Sequence, residues 1–178
     1  GGARMGVGYA DGAVQGLAKV GVPRMTTGMA KSPAVAEQAV FFMLQLSKRG
    51  TKLNALVQDG KWAGRMAVLP SDVLDKTVLI VGFGRIGTRT AKRCLAMEMN
   101  VLVYDPFVKS DAIKAAGCEP VADLDAALAR ADILTLHCPK TPQTAGMINA
   151  ARLARMNPTA FLVKTAREWS VARAAVHC

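Results

Sequence analysis

KTVLIVGFGRIG, residues 76–87, is the stretch of sequence that decides the fold. Its first part, residues 77–81, is a short apolar run rich in β-branched residues, which is typical of a strand buried on both faces of a parallel sheet. Its second part is a G-x-G-x-x-G motif formed by Gly82, Gly84 and Gly87, and a helical pattern follows it. Strand, glycine loop and helix in this order predict a unit that binds the phosphates of a dinucleotide.

Each glycine of this loop has a physical reason. The first permits a tight turn, the second lets the backbone approach a pyrophosphate, and the third lets the helix pack closely on the strand. The helix N-terminus adds unpaired N–H groups and a partial positive charge. A second strand, residues 100–105 (NVLVYD), ends at Asp105, about 20 residues beyond the glycines, where such a fold places its ribose-binding carboxylate. This conjunction is more specific than the glycines alone and indicates a nucleotide-binding domain.

Strands alternate with helices over the rest of the chain. Helices are predicted around residues 86–97, 109–116, 124–128 and 150–155, and strands at 77–82, 100–105, 133–136 and 160–163 and near 120–121. This alternation predicts an α/β fold of the Rossmann type, a doubly wound parallel sheet that binds ligands at the carboxyl ends of its strands.

The segment before the glycine loop predicts one long helix. Ser32 and Pro33 suit a helix cap and a first helical residue, and apolar positions continue to about Leu56. This length suits a helix that connects two domains. Beyond it, Asp59-Gly60 and Pro70-Ser71 indicate loops.

Charge, apolar stretches and cysteine spacing bear on whether the protein binds nucleic acid, a membrane or a metal. The chain has 178 residues and a net charge of +10, but its basic residues are dispersed and not interleaved with aromatic ones, so we expect no nucleic-acid partner. No apolar stretch is long enough to span a membrane. Cys94, Cys118, Cys138 and Cys178 form no C-x-x-C pair and are accompanied by two histidines, so we expect no metal site. Reduced thiols in a cytoplasmic protein are the expected state of these cysteines.

Six separate motifs resemble, in order and spacing, those of a known family. They are Gly6-Val-Gly-Tyr9, Val35-Ala-Glu-Gln38, Gly82-Phe-Gly-Arg-Ile-Gly87, Tyr104-Asp-Pro106, Leu136-His-Cys-Pro-Lys-Thr141 and Thr165-Ala-Arg167. Together they are similar to the NAD-dependent D-isomer-specific 2-hydroxyacid dehydrogenases, which include D-3-phosphoglycerate dehydrogenase. The resemblance runs from about Arg4 to Arg167.

The resemblance implies a division into two domains. In that family a nucleotide-binding domain is inserted within a discontinuous, flavodoxin-like substrate domain, and the active site lies in the cleft between them. Residues 1–31 would then be a remnant of the substrate domain. Residues 32–178 would be the NAD-binding domain, incomplete at its carboxyl-terminal end.

The resemblance also implies a role for each matched residue. Arg85 and Ile86 correspond to the residues whose backbone N–H groups meet the pyrophosphate. Asp105 corresponds to the carboxylate that binds the ribose, and it would repel a 2′-phosphate, which favours NAD over NADP. Arg167 corresponds to the catalytic arginine that holds the substrate's carboxylate and carbonyl, a task that suits a planar guanidinium. The other matches are cofactor contacts at Gly82, Gly84, Gly87, His137, Cys138, Pro139, Thr165 and Ala166, and substrate contacts at Val7 and Gly8.

Each assignment has a structural alternative. Asp105 could be a strand-end acid that forms a turn with Pro106. His137 ends a predicted strand, so we interpret it as a structural residue or a cofactor contact rather than as the catalytic acid–base. Arg167 outside its motif would be a surface arginine. Cys138 is expected to pack against the cofactor rather than to react.

The chain also departs from the family pattern. The family's catalytic histidine and the glutamate that orients it lie well downstream of Arg167, and the residues after Arg167 (EWSVARAAVHC) do not match the family. We therefore expect a chain truncated at both ends that does not turn over a 2-hydroxy acid at a normal rate, since general acid–base catalysis is worth roughly 10² to 10⁴ in rate. Lys31 and Lys164 stand where asparagines are common in the family.

Three functional hypotheses follow. The leading one is an NAD-dependent oxidoreductase that transfers a hydride between NAD and C2 of a 2-hydroxy acid such as 3-phosphoglycerate, or of its 2-keto partner, with homodimeric full-length relatives. The second is a non-catalytic NAD(H)-binding module. The third is a truncated product without a stable function.

Overall fold

The computed structural model describes residues 31–139 and 141–165, together with the backbone of residues 2–4 and 24–26. Most of the described chain forms a five-stranded parallel sheet with helices on both faces. The strands of this sheet are β3 (Thr77–Val81), β4 (Asn100–Tyr104), β5 (Glu119–Pro120), β6 (Ile133–Leu136) and β7 (Phe161–Lys164).

The strand order is β5-β4-β3-β6-β7, and every neighbouring pair is parallel. The chain moves outward from β3 to β5, returns to the other side of β3 at β6, and ends at the edge strand β7. The order therefore reverses between β3 and β6, which is where open sheets of this type bind their ligands. The predicted doubly wound Rossmann-type fold is confirmed.

Six α-helices are described in residues 31–139 and 141–165. They are α1 (Ser32–Ser47), α2 (Gly50–Gln58), α3 (Gly87–Ala96), α4 (Ser110–Ala115), α5 (Leu124–Arg130) and α6 (Ala150–Leu153). A 3₁₀ helix, Trp62–Ala67, follows α2. Predicted and observed boundaries after residue 76 agree within one or two residues.

The central strand β3 supplies both layers of the core, because successive side chains of a strand point to opposite faces. Val78 and Ile80 pack with residues of α1, α3 and α4, including Met43, which is fully buried. Leu79 and Val81 belong to the cluster on the other face, with residues of α5 and the segment before α6. Since β3 is buried on both faces, its continuous apolar run was a reliable prediction of its place in the sheet.

The single long helix predicted from Ser32 to about Leu56 is wrong. The chain breaks after α1, and Arg49 adopts a left-handed conformation with φ of 53° before α2 begins at Gly50. Across the break the Nε2 of Gln45 donates a hydrogen bond to the Oγ1 of Thr51 at 2.7 Å. The predicted cap also shifts by one residue, since Lys31 is the N-cap and Ser32 is already helical.

A separate two-stranded parallel sheet pairs β1 (Gly2–Arg4) with β2 (Arg24–Thr26). These strands pair with one another and not with a strand of the five-stranded sheet. This separation is compatible with the predicted division at residue 31, which stays a prediction. Within the described residues, no helix has the length and apolar character needed to cross a membrane.

Candidate functional site

The three glycines of the loop between β3 and α3 meet different surroundings. Gly82 has φ of +95°, and a Cβ there would lie 2.8 Å from the backbone N of Cys138 and 2.9 Å from the carbonyl C of His137. A Cβ on Gly87 would lie 2.0 Å from the carbonyl O of Gly82. Both positions therefore exclude any larger residue, because backbone atoms occupy the space of a side chain.

Gly84 differs from the other two glycines because a Cβ there would meet nothing within 4 Å. Gly84 and Arg85 are exposed at the amino end of α3, and Gly84 lies on the open side of the loop. The carbonyl O of Gly84 accepts hydrogen bonds from the backbone N–H and the hydroxyl of Thr88. The loop therefore packs tightly against backbone atoms at Gly82 and Gly87, whereas at Gly84 it faces open space. Open space at Gly84 is expected if a phosphate approaches the backbone there.

Asp105 lies beside this loop at the carboxyl end of β4. Its Oδ2 accepts a hydrogen bond from the backbone N–H of Phe83 at 2.7 Å, and its Oδ1 accepts one from the backbone N–H of Phe107 at 2.9 Å. Gly82 continues the ladder by donating its N–H to the carbonyl of Tyr104. A strand-end carboxylate is thereby fixed against the glycine loop.

A cavity of about 320 Å³ opens next to Asp105. Its walls include Pro106, Val108 and Ile113 on one side and Val121 on another. A carboxylate among apolar walls suits a ligand that combines a flat apolar ring with sugar hydroxyls.

His137 follows β6 on the other side of β3. Its backbone N–H donates to the carbonyl of Val81 at 2.8 Å, and its Nε2 lies 3.2 Å from the Oγ1 of Thr135. Its Nδ1 is buried and has no hydrogen-bond partner in the described part of the chain. Burial lowers the pKa of His137 to about 4, so the ring is neutral at pH 7. A neutral, half-buried ring favours the contact interpretation of His137 over that of a proton donor.

Cys138 comes next and touches the position that a Cβ of Gly82 would occupy. Burial, and to a smaller extent the nearby Asp105, raises the pKa of its thiol. Since the thiolate is the nucleophilic form, the surroundings make Cys138 less reactive than a free cysteine. Pro139 follows at the exposed edge of the same turn.

Thr165 follows the edge strand β7. Leu136 and Lys164 are paired across β6 and β7, so the next residues, His137 and Thr165, leave the two strands side by side. The Oγ1 of Thr165 is buried and, like the Nδ1 of His137, has no partner among the described residues. Two buried polar atoms without partners are costly, and together they fit a polar ligand at this edge of the sheet.

A second, larger cavity of about 440 Å³ lies beside Thr165, between β7 and the amino end of α1. Lys31 and Lys164 line it together with an apolar wall that includes Val35 and Phe42. Within the described residues, no group of three or more His, Cys, Asp or Glu side chains could hold a metal ion.

The predicted site residues are thus brought together only in part. Gly82, Gly84, Arg85, Ile86, Gly87, Asp105, His137, Cys138, Pro139 and Thr165 lie along the carboxyl edge of the sheet. Ala166, Arg167, Val7 and Gly8 lie outside the described residues, and their roles stay predictions.

The sequence did not indicate two features of this edge. The first is the backbone N–H of Phe83, whose bond to Asp105 depends on the loop's three-dimensional path. The second is Val121 with Ala122, which follow β5 and line the cavity at Asp105. The rule that pointed to Asp105 and His137, namely that ligands meet residues just after parallel strands, could have found Val121 and Ala122.

Comparison with known proteins gives a matching domain model. Residues 40–177 match the model described as D-isomer specific 2-hydroxyacid dehydrogenase, NAD binding domain. Similar curated proteins include a D-3-phosphoglycerate dehydrogenase of Synechocystis, 37% identical over 92% of this chain and 29% of its own length. A hydroxypyruvate reductase of Thermotoga maritima is 32% identical over 98% of this chain and 56% of its own length.

Solved structures match this chain over most of its length. The pyruvate reductase of Chlamydomonas reinhardtii superposes with a TM-score of 0.85 at 27% identity, over 98% of this chain and 51% of that one. A D-lactate dehydrogenase of Treponema pallidum gives a TM-score of 0.81 at 28% identity, over 90% of this chain and 47% of that one. The chain spans 29% of the length of the Synechocystis protein and about half of the solved chains.

Proposed function

Because the chain belongs to the D-isomer specific 2-hydroxyacid dehydrogenase family through its NAD-binding domain, we propose that it is the cofactor-binding part of an enzyme that transfers a hydride between NAD and C2 of a 2-hydroxy acid. Membership of this family confirms the resemblance found in the sequence, and it confirms NAD as the predicted cofactor. The substrate and the turnover belong to the whole enzyme and are part of the proposal.

One observation carries the proposal most directly. The carboxyl edge of the sheet carries, from one strand to the next, a carboxylate at Asp105, the glycine loop with its open point at Gly84, and two buried polar atoms at His137 and Thr165. A dinucleotide has hydroxyl groups, phosphates and an amide in an extended order. The edge offers each of these groups a partner of suitable chemistry.

The residues that would hold the cofactor have distinct tasks. The backbone N–H groups of Arg85 and Ile86 bind the pyrophosphate at the amino end of α3, and Asp105 accepts hydrogen bonds from ribose hydroxyls. The turn of His137, Cys138 and Pro139 follows β6 beside the glycine loop and contacts the cofactor there. Thr165 and Ala166 contact the nicotinamide part.

The chemistry requires a hydride carrier, a polarised carbonyl and a proton source. When bound, NAD accepts the hydride from C2 of the hydroxy acid or returns it to the keto acid. Arg167 holds the carboxylate and polarises the carbonyl, and the backbone of Val7 and Gly8 faces the carboxylate. We do not assign the proton to His137, because a ring with a pKa of about 4 is a poor proton donor at neutral pH.

The test measures cofactor binding and turnover separately. Isothermal titration of NADH into this chain should give binding, and the absence of binding contradicts the proposal. NADH formation from D- and L-2-hydroxy acids by the enzyme that carries this domain should depend on Arg167 and should select the D isomer. Binding of NADH without turnover of any 2-hydroxy acid or 2-keto acid supports the alternative, a non-catalytic NAD(H)-binding module.

We also propose that the whole enzyme is a homodimer that uses the apolar face formed by α1, α2 and the following loop. The exposed large side chains of this face are Phe41, Phe42, Leu46, Val57, Trp62, Met66, Leu69 and Leu74. Neither α2 nor the 3₁₀ helix buries a residue within the chain. A helix of nine residues with no buried side chain is marginal by itself in water, so a partner surface is needed to explain it.

The size of this apolar face matches a dimer. Its side chains are between 38% and 71% exposed. At roughly 150–250 Å² of area for each side chain, the exposed fractions of the eight correspond to roughly 640–1,070 Å² in total. The largest apolar patch of a typical monomer is about 300–600 Å², whereas a standard interface buries about 800 Å² on each partner. The area therefore supports a second copy of the chain as the occupant.

A cytoplasmic location is the final part of the proposal. Cys94, Cys118 and Cys138 are free thiols, and Cys94 and Cys118 are buried in the core. Burial raises the pKa of Cys94 to about 12, so this thiol resists ionisation. Free thiols in a domain of this kind are usual where the compartment is reducing.

A further inference from the structure

A third cavity lies at the amino ends of the strands, on the edge of the sheet opposite to the cofactor contacts. Its volume is about 240 Å³. Lys76 and Asp132, which line it, stand immediately before β3 and β6, and Phe161 is the first residue of β7. Residues of a strand rise about 3.3 Å each, so Lys76 lies about 20 Å along the chain direction of β3 from Gly82. The cavity is therefore separate from the glycine loop and from the turns that follow β4, β6 and β7.

The walls of this cavity combine polar and apolar groups. Ile133, which is 1% exposed, and Phe161 supply apolar surface, and Ser71 supplies a hydroxyl group. The backbone N–H and the hydroxyl of Ser71 both donate to the carbonyl of Ser47, at 2.8 and 3.3 Å, so the loop before β3 is held against the end of α1. A volume below the roughly 300–1,000 Å³ of pockets for drug-sized ligands suits a molecule of a few carbon atoms.

One positive charge at this cavity is not compensated. Asp72 is in an ion pair with Lys48. The Oδ1 of Asp132 lies 3.6 Å from the Nζ of Lys76, so these two charges also offset one another. The guanidinium of Arg49, which lines the same cavity, has no ion-pair or hydrogen-bond partner within residues 31–139 and 141–165. The cavity therefore favours a ligand with a single negative charge.

The backbone at Arg49 adds an independent observation. Arg49 has φ of 53°, a left-handed conformation that is uncommon for a residue with a side chain. A glycine adopts this conformation without strain, yet the chain has arginine here and glycine only at the next position, Gly50. Strained backbone positions occur frequently at ligand-binding sites, where the side chain at the strained position is used. The strained position and the uncompensated charge thus coincide at one residue.

From these observations we propose that this cavity is a second small-molecule site, which binds a monocarboxylate of a few carbon atoms. The carboxylate lies on Arg49, because a planar guanidinium matches the two oxygens of a carboxylate. The carbon chain packs against Ile133 and Phe161. A dianion such as phosphate is disfavoured, since its second negative charge comes close to Asp72 and Asp132. The site goes beyond the proposed function, because its residues do not contact the cofactor edge.

The experiment compares isovalerate, isovaleramide and inorganic phosphate as probes. Isovaleramide has nearly the shape of isovalerate without its charge, and phosphate has charge without a carbon chain. Each is titrated into the 178-residue chain, and two-dimensional amide NMR spectra follow Arg49, Ser71, Ile133 and Phe161. Isovalerate should shift these amides equally with and without saturating NADH. Isovaleramide and phosphate should bind at least about fivefold more weakly, the loss of one solvent-accessible ion pair or of the apolar contact.

Two variants at Arg49 test its charge and its shape. Arg49→Asn removes the guanidinium but keeps the fold, because asparagine tolerates the left-handed conformation. It should weaken isovalerate binding about fivefold. Arg49→Lys keeps the charge without the planar fork and should give a smaller loss. Lys114→Gln is the matched control, since Lys114 is exposed in α4, which packs on β5 at the opposite edge of the sheet from β7. This control should bind isovalerate like the unmodified chain.

The outcomes decide between this site and its alternatives. The site is supported when isovalerate shifts the four cavity amides and Arg49→Asn weakens the effect while Lys114→Gln does not. It is overturned when isovalerate leaves these amides unchanged, when phosphate or isovaleramide binds as tightly, or when Arg49→Asn keeps full affinity. Competition between isovalerate and NADH also overturns it, because the carboxylate would then be bound at the cofactor edge. Amide spectra of the strands in each variant confirm that it is folded.

Discussion

The Oδ2 of Asp105 accepts a hydrogen bond from the backbone N–H of Phe83 at 2.7 Å, which ties the end of β4 to the second residue of the glycine loop. The carboxylate proposed to bind the ribose therefore also holds the loop proposed to bind the phosphates. A charged acceptor makes this bond stronger than a bond between neutral groups. Changes at Asp105 are thus expected to alter both cofactor choice and loop order.

Replacing Asp105 should remove the preference for NAD over NADP. In Asp105→Asn the side chain can still accept a hydrogen bond from Phe83, but the charge that repels a 2′-phosphate is lost. We expect the ratio of NADP to NAD dissociation constants to fall by about tenfold, the effect of about 1.4 kcal/mol. Isothermal titration with both cofactors measures this ratio.

Asp111→Asn is the matched control for this change. Asp111 is exposed in the first turn of α4, and its replacement removes the same charge outside the cofactor site. An unmodified chain that binds both cofactors equally, or an Asp111→Asn variant with the same loss of preference, contradicts the assignment of Asp105.

Replacing Gly84 or Gly87 by alanine should affect different properties, cofactor binding for Gly84 and stability for Gly87. A Cβ on Gly87 would overlap the carbonyl O of Gly82 at 2.0 Å, so Gly87→Ala should lower the free energy of unfolding by about 3 kcal/mol. A Cβ on Gly84 meets nothing within 4 Å, so Gly84→Ala should fold normally. It should nevertheless weaken NADH binding, because the methyl group stands where the backbone is approached by phosphate.

Urea unfolding and NADH titration of both variants provide the measurement. Each glycine variant is the control for the other, since the substitution is identical and the positions are three residues apart. Normal stability of Gly87→Ala, or unchanged NADH affinity of Gly84→Ala, contradicts the roles given to these positions.

His137 should make the fold less stable in mild acid. Its pKa is lowered by burial from 6.5 to about 4, so between these pH values the unfolded chain binds a proton that the folded chain does not. The contribution is fully present above pH 6.5 and is lost as the pH falls toward 4, with a total of about 3 kcal/mol. Urea unfolding at several pH values between 7 and 4 measures the slope.

The variant His137→Gln isolates this effect from that of the carboxylates. Glu119 and Asp125 have pKa values lowered mainly by hydrogen bonds to Arg130 and Arg152, and they reduce stability in acid in both proteins. The variant should therefore keep a shallower slope over the same range. Equal slopes for the two proteins, or an NMR titration of the ring with a pKa near 6.5, would show that His137 is not buried in the way described.

Charges on the apolar face should dissociate the homodimer of the whole enzyme. Val57 and Met66 are 57% and 71% exposed, so lysines at these positions are tolerated in the separated subunit but are desolvated in an interface. Val57→Lys with Met66→Lys should raise the dimer dissociation constant by at least about 100-fold, since each buried unpaired charge costs several kcal/mol. Sedimentation velocity over a range of concentrations measures this shift.

Lysine substitution outside the face is the control for the dimer prediction. Phe107 is 93% exposed after β4, and Phe107→Lys should leave the dimer intact. A whole enzyme that sediments as a monomer at all concentrations contradicts the second copy as occupant. It would favour another segment or another protein as the cover of this face.

The sheet could be predicted from the sequence because its strands are short apolar runs with clear ends. Residues 78–81 and 133–136 are buried on both faces, so each strand was visible in the sequence as a continuous apolar run, without alternating polar and apolar residues. Asp105 could be predicted because its distance from the glycines along the chain reflects the length of one helix and one strand.

The break between α1 and α2 could not be predicted from the periodicity that indicated the helix. Lys48 and Arg49 are good helix formers, and the apolar spacing continues past them. The left-handed turn at Arg49 precedes Gly50, whose missing side chain leaves room for the amide of Gln45. Gly50 was therefore the local sequence feature that indicated a break in the helix.

The cavity lined by Lys31 and Lys164 depends on tertiary packing. Lys31 and Lys164 are far apart in the chain and line one cavity because α1 packs against the edge strand β7. Each residue was noticeable in the sequence as a departure from the family, but their proximity was not predicted.

The close fit of Gly82 against His137 and Cys138 has a consequence for recombination between related genes. The two loops are separated along the chain by two strands and several helices. Their backbones nevertheless pack so closely that a Cβ on Gly82 would clash with His137 and Cys138. A crossover between β3 and β6 would combine a glycine loop from one parent with a turn from another. Chimeric proteins of this family should therefore tolerate exchange points before β3 or after β6 better than exchange points between them.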